Sequence, residues 1–210
     1  MRKTRWWAAA VTTSLVAAAL SRVCPDILYA LFTVFVAVYA TKELGMTTGN
    51  VLSAILIGSA FQLGLIPFAG ALTDRFNRRL VYGIAAVGTA LYIPLFFFMI
   101  QGKSVAMLTL GVVIGLAFHA FMYGPQAAYI TEQFPVRLRY AGSSLAYTLA
   151  GVIGGAVAPL VFTALYAATG NWYLIAGYLA VASIVTVVGL ALGRNPQTKE
   201  EERLLQEAHA

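Results

Sequence analysis

Arg22 and Asp26 stand four residues apart inside a run of otherwise apolar side chains. On a helix that spacing places a guanidinium and a carboxylate on one face, close enough to pair. An unpaired cation near the centre of a bilayer costs at least ~2.5 kcal/mol, so Arg22 calls for either a partner or an anionic ligand. Two readings follow. In one, Arg22 binds the carboxylate of a ligand and Asp26 exchanges its pairing for a proton. In the other, the two side chains form a permanent buried ion pair.

A second group is His119, Tyr123 and Gln126, at i, i+4 and i+7 on one helix face, with Pro125 offering a kink beside them. Polar side chains within a bilayer turn towards protein or a water-filled cavity, which makes Tyr123 and Gln126 candidates for ligand contact. The alternative is interhelical hydrogen bonding, about 0.6 kcal/mol on average. His119 titrates in a range suited to proton handling, with plain packing as its alternative. Tyr29 joins Arg22, Tyr123 and Gln126 in the expected ligand-binding set, and Asp26 and His119 form the proton-handling set. No catalytic residue is expected: Gly142-Ser143-Ser144 has neither a nucleophile motif nor an evident base partner, which argues against an intramembrane protease. The lone Cys24 fits no metal cluster and allows no intrachain disulfide, and nothing in the sequence implies a cofactor or a metal.

These residues need elements to hold them, and composition says what kind. Hydrophobic residues make up 60% of the 210, charged residues 10%, and the mean hydropathy is +0.79, so the solvent is lipid. About 20 helical residues cross a hydrocarbon core of roughly 30 Å. Six stretches suffice, at about 12–40, 50–72, 80–100, 105–130, 140–167 and 172–193. Backbone in lipid must satisfy its own hydrogen bonds, and no ten-residue alternation points to a β-barrel, so the expectation is an all-α membrane protein with a single six-span domain over residues 1–210. Residues 194–210, with Asn195-Pro196 as a stop and Glu200-Glu201-Glu202, read as a solvated tail. The first stretch is overlong and interrupted at 21–26, where Pro25 should bend one tilted helix. Gly151 with Gly155, and Gly111 with Gly115, are spaced for close helix packing.

The net charge of +6 follows topology. With both termini cytoplasmic, eleven cations (Arg2, Lys3, Arg5, Arg75, Arg78, Arg79, Arg137, Arg139, Arg194, Lys199, Arg203) fall inside and only Lys42 and Lys103 outside. That asymmetry speaks for orientation and anionic lipid, and against nucleic acid. The first 20 residues also resemble a secretory signal, but Ser-Arg-Val-Cys follows instead of a small-x-small cleavage site.

The run Gly70-Ala71-Leu72-Thr73-Asp74-Arg75-Phe76-Asn77-Arg78-Arg79 resembles the G-x-x-x-D-R-x-G-R-R loop of the major facilitator superfamily. Asn77 stands where the family usually has Gly, and a tight turn with φ > 0 is the expected reason. The run from Tyr123-Gly124-Pro125-Gln126-Ala127-Ala128 through Glu132-Gln133-Phe134-Pro135-Val136-Arg137-Leu138-Arg139-Tyr140 to Gly142-Ser143-Ser144-Leu145 is similar to the signature of the metabolite:proton symporter group, as is 27–41. Pro25 and Asp26 stand where that group usually carries Glu-Asn.

The resemblance covers residues 6–193 and aligns them with spans seven to twelve. It implies one half of a major facilitator fold, an inverted three-plus-three repeat in a bacterial inner membrane. It also implies transport of a small organic metabolite with protons by alternating access, Arg22 tilting the substrate towards a carboxylate. Asp74, Arg75, Arg78, Arg79, Glu132, Arg137 and Arg139 would form cytoplasmic gating loops, Asp74 making ionic locks with the arginines beside it that open and close; the alternative is that these arginines merely hold the loop inside. Half a transporter needs a second copy or a separate N-terminal six-span half; otherwise it is a truncated or partner-dependent membrane domain without transport of its own.

Overall fold

The computed structural model describes residues 2–194, with side chains from Val11 onwards; residues 195–210, including the expected tail, lie outside the described residues. Among the described residues every regular element is helical. Six helical spans are long and apolar enough to cross a membrane: Val11–Lys42, Thr48–Leu72, Arg78–Ile100, Val105–Glu132, Val136–Thr169 and Tyr173–Leu192. They are called first to sixth below.

Packing follows a symmetric plan. The second span lies along the fourth, and the fifth lies along the first; the third packs on the fourth, and the sixth packs on the first. The third and sixth meet each other between these two groups. Exchanging spans one to three with four to six reproduces that set of contacts, as a three-plus-three repeat requires. Burial obeys the same exchange for two of the three pairs, while the first span, at 61%, is more buried than the fourth, at 44%. The most apolar window is 22% buried in both the second and the fifth span and 44% in both the third and the sixth. The second and fifth spans therefore present most of their side chains outward, Leu56, Phe61, Leu63, Val152, Ile153 and Leu160 among them.

Glycines permit the closest approaches, at positions that differ in part from expectation. A Cβ on Gly124 would lie 2.8 Å from the Gly70 nitrogen and the Ile66 oxygen, so the fourth and second spans touch backbone to backbone. Gly111 seats Phe96 and Gly115 seats Phe32, in line with their expected packing role. Gly151 and Gly155 meet nothing within 4 Å, because their face of the fifth span turns out of the bundle. The packed glycine there is Gly154, against Asp26.

Asn77 also departs from expectation. Its φ is −58°, and its Oδ1 accepts from Arg79 N–H at 2.9 Å. It caps the third span by satisfying an otherwise unmatched first-turn donor, so the residue serves through its side chain and not through a left-handed backbone.

Candidate functional site

The first span is discontinuous where the sequence breaks it. Helix runs over Arg2–Ser21, Arg22 sits outside it at φ −87° and ψ −13°, and helix resumes over Val23–Ala30 before a wide turn at Leu31–Phe35. Pro25 has no N–H, so the Ser21 carbonyl loses its partner one turn back. The Tyr82 hydroxyl from the third span donates to that carbonyl at 2.8 Å. The neighbouring bond, Cys24 to Leu20, is replaced by an inserted hydroxyl: Thr186 Oγ1 of the sixth span accepts from Cys24 N–H at 2.9 Å and donates to Leu20 O at 3.2 Å. Gly189 makes room for this contact, since a Cβ there would lie 2.7 Å from Leu20 Cβ and Ser21 N. Two helices thus stitch the broken one, as bilayer interiors require of any freed backbone group.

One turn below the break the helix is regular, with Asp26 N–H on Arg22 O at 3.1 Å. The Arg22–Asp26 pair stands on that turn. Arg22 Nη2 donates to Asp26 Oδ1 at 2.7 Å, and both side chains are 11% exposed. The guanidinium carbon also lies 4.0 Å from the centre of the Tyr147 ring of the fifth span, whose electron-rich face favours a cation. Arg22 Nε and Asp26 Oδ2 are buried without a hydrogen-bond partner.

His119 lies half-way along the fourth span and is 5% exposed. Its Nδ1 meets Gln62 Nε2 of the second span, also buried. Its ring is flanked by Tyr29, with centroids 5.1 Å apart, and by Tyr123 at 5.3 Å. The bond between the Gln62 amide and Nδ1 ties the ring of the fourth span to the second and fixes its orientation. Tyr29 and Tyr123 are 46% and 43% exposed, so their free edges face out of the bundle beside the buried imidazole. Gln126 is completely buried and donates to the Tyr82 hydroxyl at 3.3 Å. The expected helix face therefore divides: His119 and Tyr123 stack on each other, while Gln126 reaches the stitched break through Tyr82.

At the arginine-rich end, Arg78 pairs with Glu132, joining the third and fourth spans. Arg79 caps the end of the sixth span: its Nη2 donates to Leu190 O and, at 2.7 Å, to Ala191 O. Gln133 completes that cap, accepting from Arg194 N–H at 2.6 Å and donating to Arg194 O at 3.1 Å. A guanidinium on the last carbonyls complements the helix dipole. Asp74, Arg75, Arg137 and Arg139 are exposed, and Asp74 enters neither ion pair found among the described residues.

Gln62, Tyr82, Tyr147 and Thr186 were not marked by sequence. Gln62 carried a signal, as an amide in a 25-residue apolar helix; the other three are ordinary in kind for a membrane span.

The geometry defines a polytopic helical membrane protein whose bundle holds an ion pair and a flanked histidine half-way across. The profile of the Major Facilitator Superfamily matches residues 8–210, and the chain belongs to that family. The shikimate transporter of Escherichia coli is 27% identical over 179 residues, 84% of this chain and 41% of its own length. A putative metabolite transport protein of Haemophilus influenzae is 34% identical over 154 residues, 71% of this chain and 34% of its own. The citrate-proton symporter of Klebsiella pneumoniae is 33% identical over 143 residues, 67% of this chain and 32% of its own. The chain thus spans well under half the length of these relatives. No solved structure matches it.

Proposed function

We propose that this chain forms the C-terminal six-span half of a proton-coupled transporter for a small organic carboxylate, working by alternating access in a bacterial inner membrane. Arg22 carries the reading. It is a cation held half-way along a span, its charge shared between Asp26 and the Tyr147 ring, with its buried Nε–H left to give. A substrate carboxylate competes with Asp26 for the guanidinium, and Asp26, once displaced, takes a proton, since a lone carboxylate there is expensive. Substrate and proton thereby enter together. Tyr29, Tyr123 and Gln126 line the path to this pair, and His119 relays the proton beside them. Relatives named for shikimate and for citrate-proton symport support the pairing of an organic acid with a proton. Arg78–Glu132 serves as a cytoplasmic lock that breaks and reforms during the cycle, and Asp74, Arg75, Arg79, Arg137 and Arg139 belong to the same gating layer, with both termini cytoplasmic.

The matched relatives are more than twice this chain's length, which supports a partner, either a separate N-terminal half or a second copy. Uptake of labelled citrate into proteoliposomes containing only this chain, under an inside-alkaline gradient, tests autonomy. No uptake by the chain alone, and uptake once an N-terminal half is supplied, is the expected result; gradient-driven uptake by the chain alone would contradict the need for a separate half and favour self-association.

A further inference from the structure

The polar atoms around Arg22 do not balance among themselves. Arg22 Nη2 and Asp26 Oδ1 satisfy each other, which leaves Arg22 Nε–H without an acceptor and Asp26 Oδ2 without a donor, both buried. Gln126 adds a third open group. Tyr82 spends its proton on the Ser21 carbonyl, so its oxygen can only accept, and the Gln126 amide must turn Nε2 towards it. Gln126 Oε1 is then left buried without a donor. Three fully buried atoms are thus open, the donor Arg22 Nε and the acceptors Asp26 Oδ2 and Gln126 Oε1, and buried open groups of this kind are costly.

Nε and Oδ2 belong to one bonded pair, so they lie only a few ångströms apart. A single small molecule meets both when it carries an acceptor and a donor on neighbouring atoms. Gly154 of the fifth span packs beside this acceptor: a Cβ there would stand 3.8 Å from Oδ2 and 3.1 Å from Asp26 Cβ. Glycine at that position lets the fifth span pack closely on Asp26, where a side chain would crowd it.

We infer that the site selects a carboxylate bearing a hydroxyl or ammonium donor on the carbon next to it. The carboxylate enters through Arg22 Nε–H and draws the guanidinium from Asp26 Oδ1, while the adjacent donor gives to Asp26 Oδ2. This rests on Arg22 as the carboxylate site and adds the donor requirement. Asp26 keeps an accepting oxygen in either protonation state, so the requirement holds with or without a bound proton. The two donor sources differ in charge. The Arg22–Asp26 pair is neutral, so a zwitterion adds no net charge to the site, whereas a hydroxy acid adds one that a proton on Asp26 offsets.

Propanoate, lactate and alanine share a three-carbon skeleton and differ only in the group beside the carboxylate. Their binding to the purified chain in lipid nanodiscs is measured by saturation-transfer NMR. The stronger of lactate and alanine should bind at least tenfold more tightly than propanoate, as for a site built to hydrogen-bond a ligand donor. Preference for lactate identifies the hydroxyl, and preference for alanine the ammonium. Asp26→Ala should erase the discrimination, Arg22→Gln should abolish binding of all three, and Asp26→Asn, close to Asp in shape, should weaken alanine more than lactate. Equal binding of the three, still dependent on Arg22, would overturn the donor requirement and leave the carboxylate reading intact. No binding of any would overturn both.

Discussion

Arg22 is held by a carboxylate one turn away and by the face of a tyrosine from another span, with its buried Nε–H still to give. Its planar fork matters as much as its charge, because an ammonium cannot lie flat on Tyr147 while bonding Asp26. Arg22→Lys should therefore weaken carboxylate binding about tenfold, and Tyr147→Leu by a smaller factor, since exposed to desolvated cation–π contacts run from about 0.5 to 2 kcal/mol. Titration of the purified chain with a labelled carboxylate checks both; unchanged affinity in Arg22→Lys would contradict the fork. His119 should show its role in the pH profile of uptake. His119→Gln should flatten it while leaving the protein folded, and an unaltered profile would reduce the imidazole to a packing group. The Arg22–Asp26 pair was readable because an i, i+4 contact is written in spacing alone. Gln62 against His119 was not, because its partner lies 57 residues away and only the packing of two helices brings them together.

At the scale of the element, the broken first span illustrates what sequence conveys and what it omits. Pro25 announced the interruption, because a missing N–H is a local fact. How the freed carbonyls are repaid was hidden, since Thr186 and Tyr82 come from distant helices. Thr186→Val keeps shape and removes both bridging bonds, and at about 0.6 kcal/mol each it should cost about 1 kcal/mol. Thermal melting in detergent should show a lowered Tm that Thr186→Ser restores. Gly189→Ala should do worse, because its Cβ meets Leu20 Cβ and Ser21 N at 2.7 Å, whereas Gly155→Ala meets nothing and should melt like the parent. Equal losses in the two glycine variants would contradict the packing described. Spacing also marked Gly151 and Gly155 as a packing face, but a small-residue motif does not say which side of a helix turns inward. Asn77 was foreseen as a turn residue and proved a cap, because Asn satisfies either need and only backbone angles tell them apart.

At the scale of the whole molecule, hydropathy conveyed six spans, and the contacts between them, which no local pattern encodes, order them into two groups of three. Orientation is testable directly: Lys103→Cys should react with an impermeant maleimide in intact cells, and Arg137→Cys only after permeabilisation, with the reverse pattern contradicting cytoplasmic termini. The central claim is that the bundle centre joins an organic acid to a proton through Arg22. The most direct measurement is uptake of a labelled carboxylate by membranes that contain this chain together with its N-terminal half, driven by an imposed pH gradient, with internal pH recorded at the same time. Uptake that tracks the gradient, acidifies the interior and disappears in Arg22→Ala at unchanged protein level is the predicted result. Uptake that ignores the gradient, or that Arg22→Ala leaves intact, would contradict it.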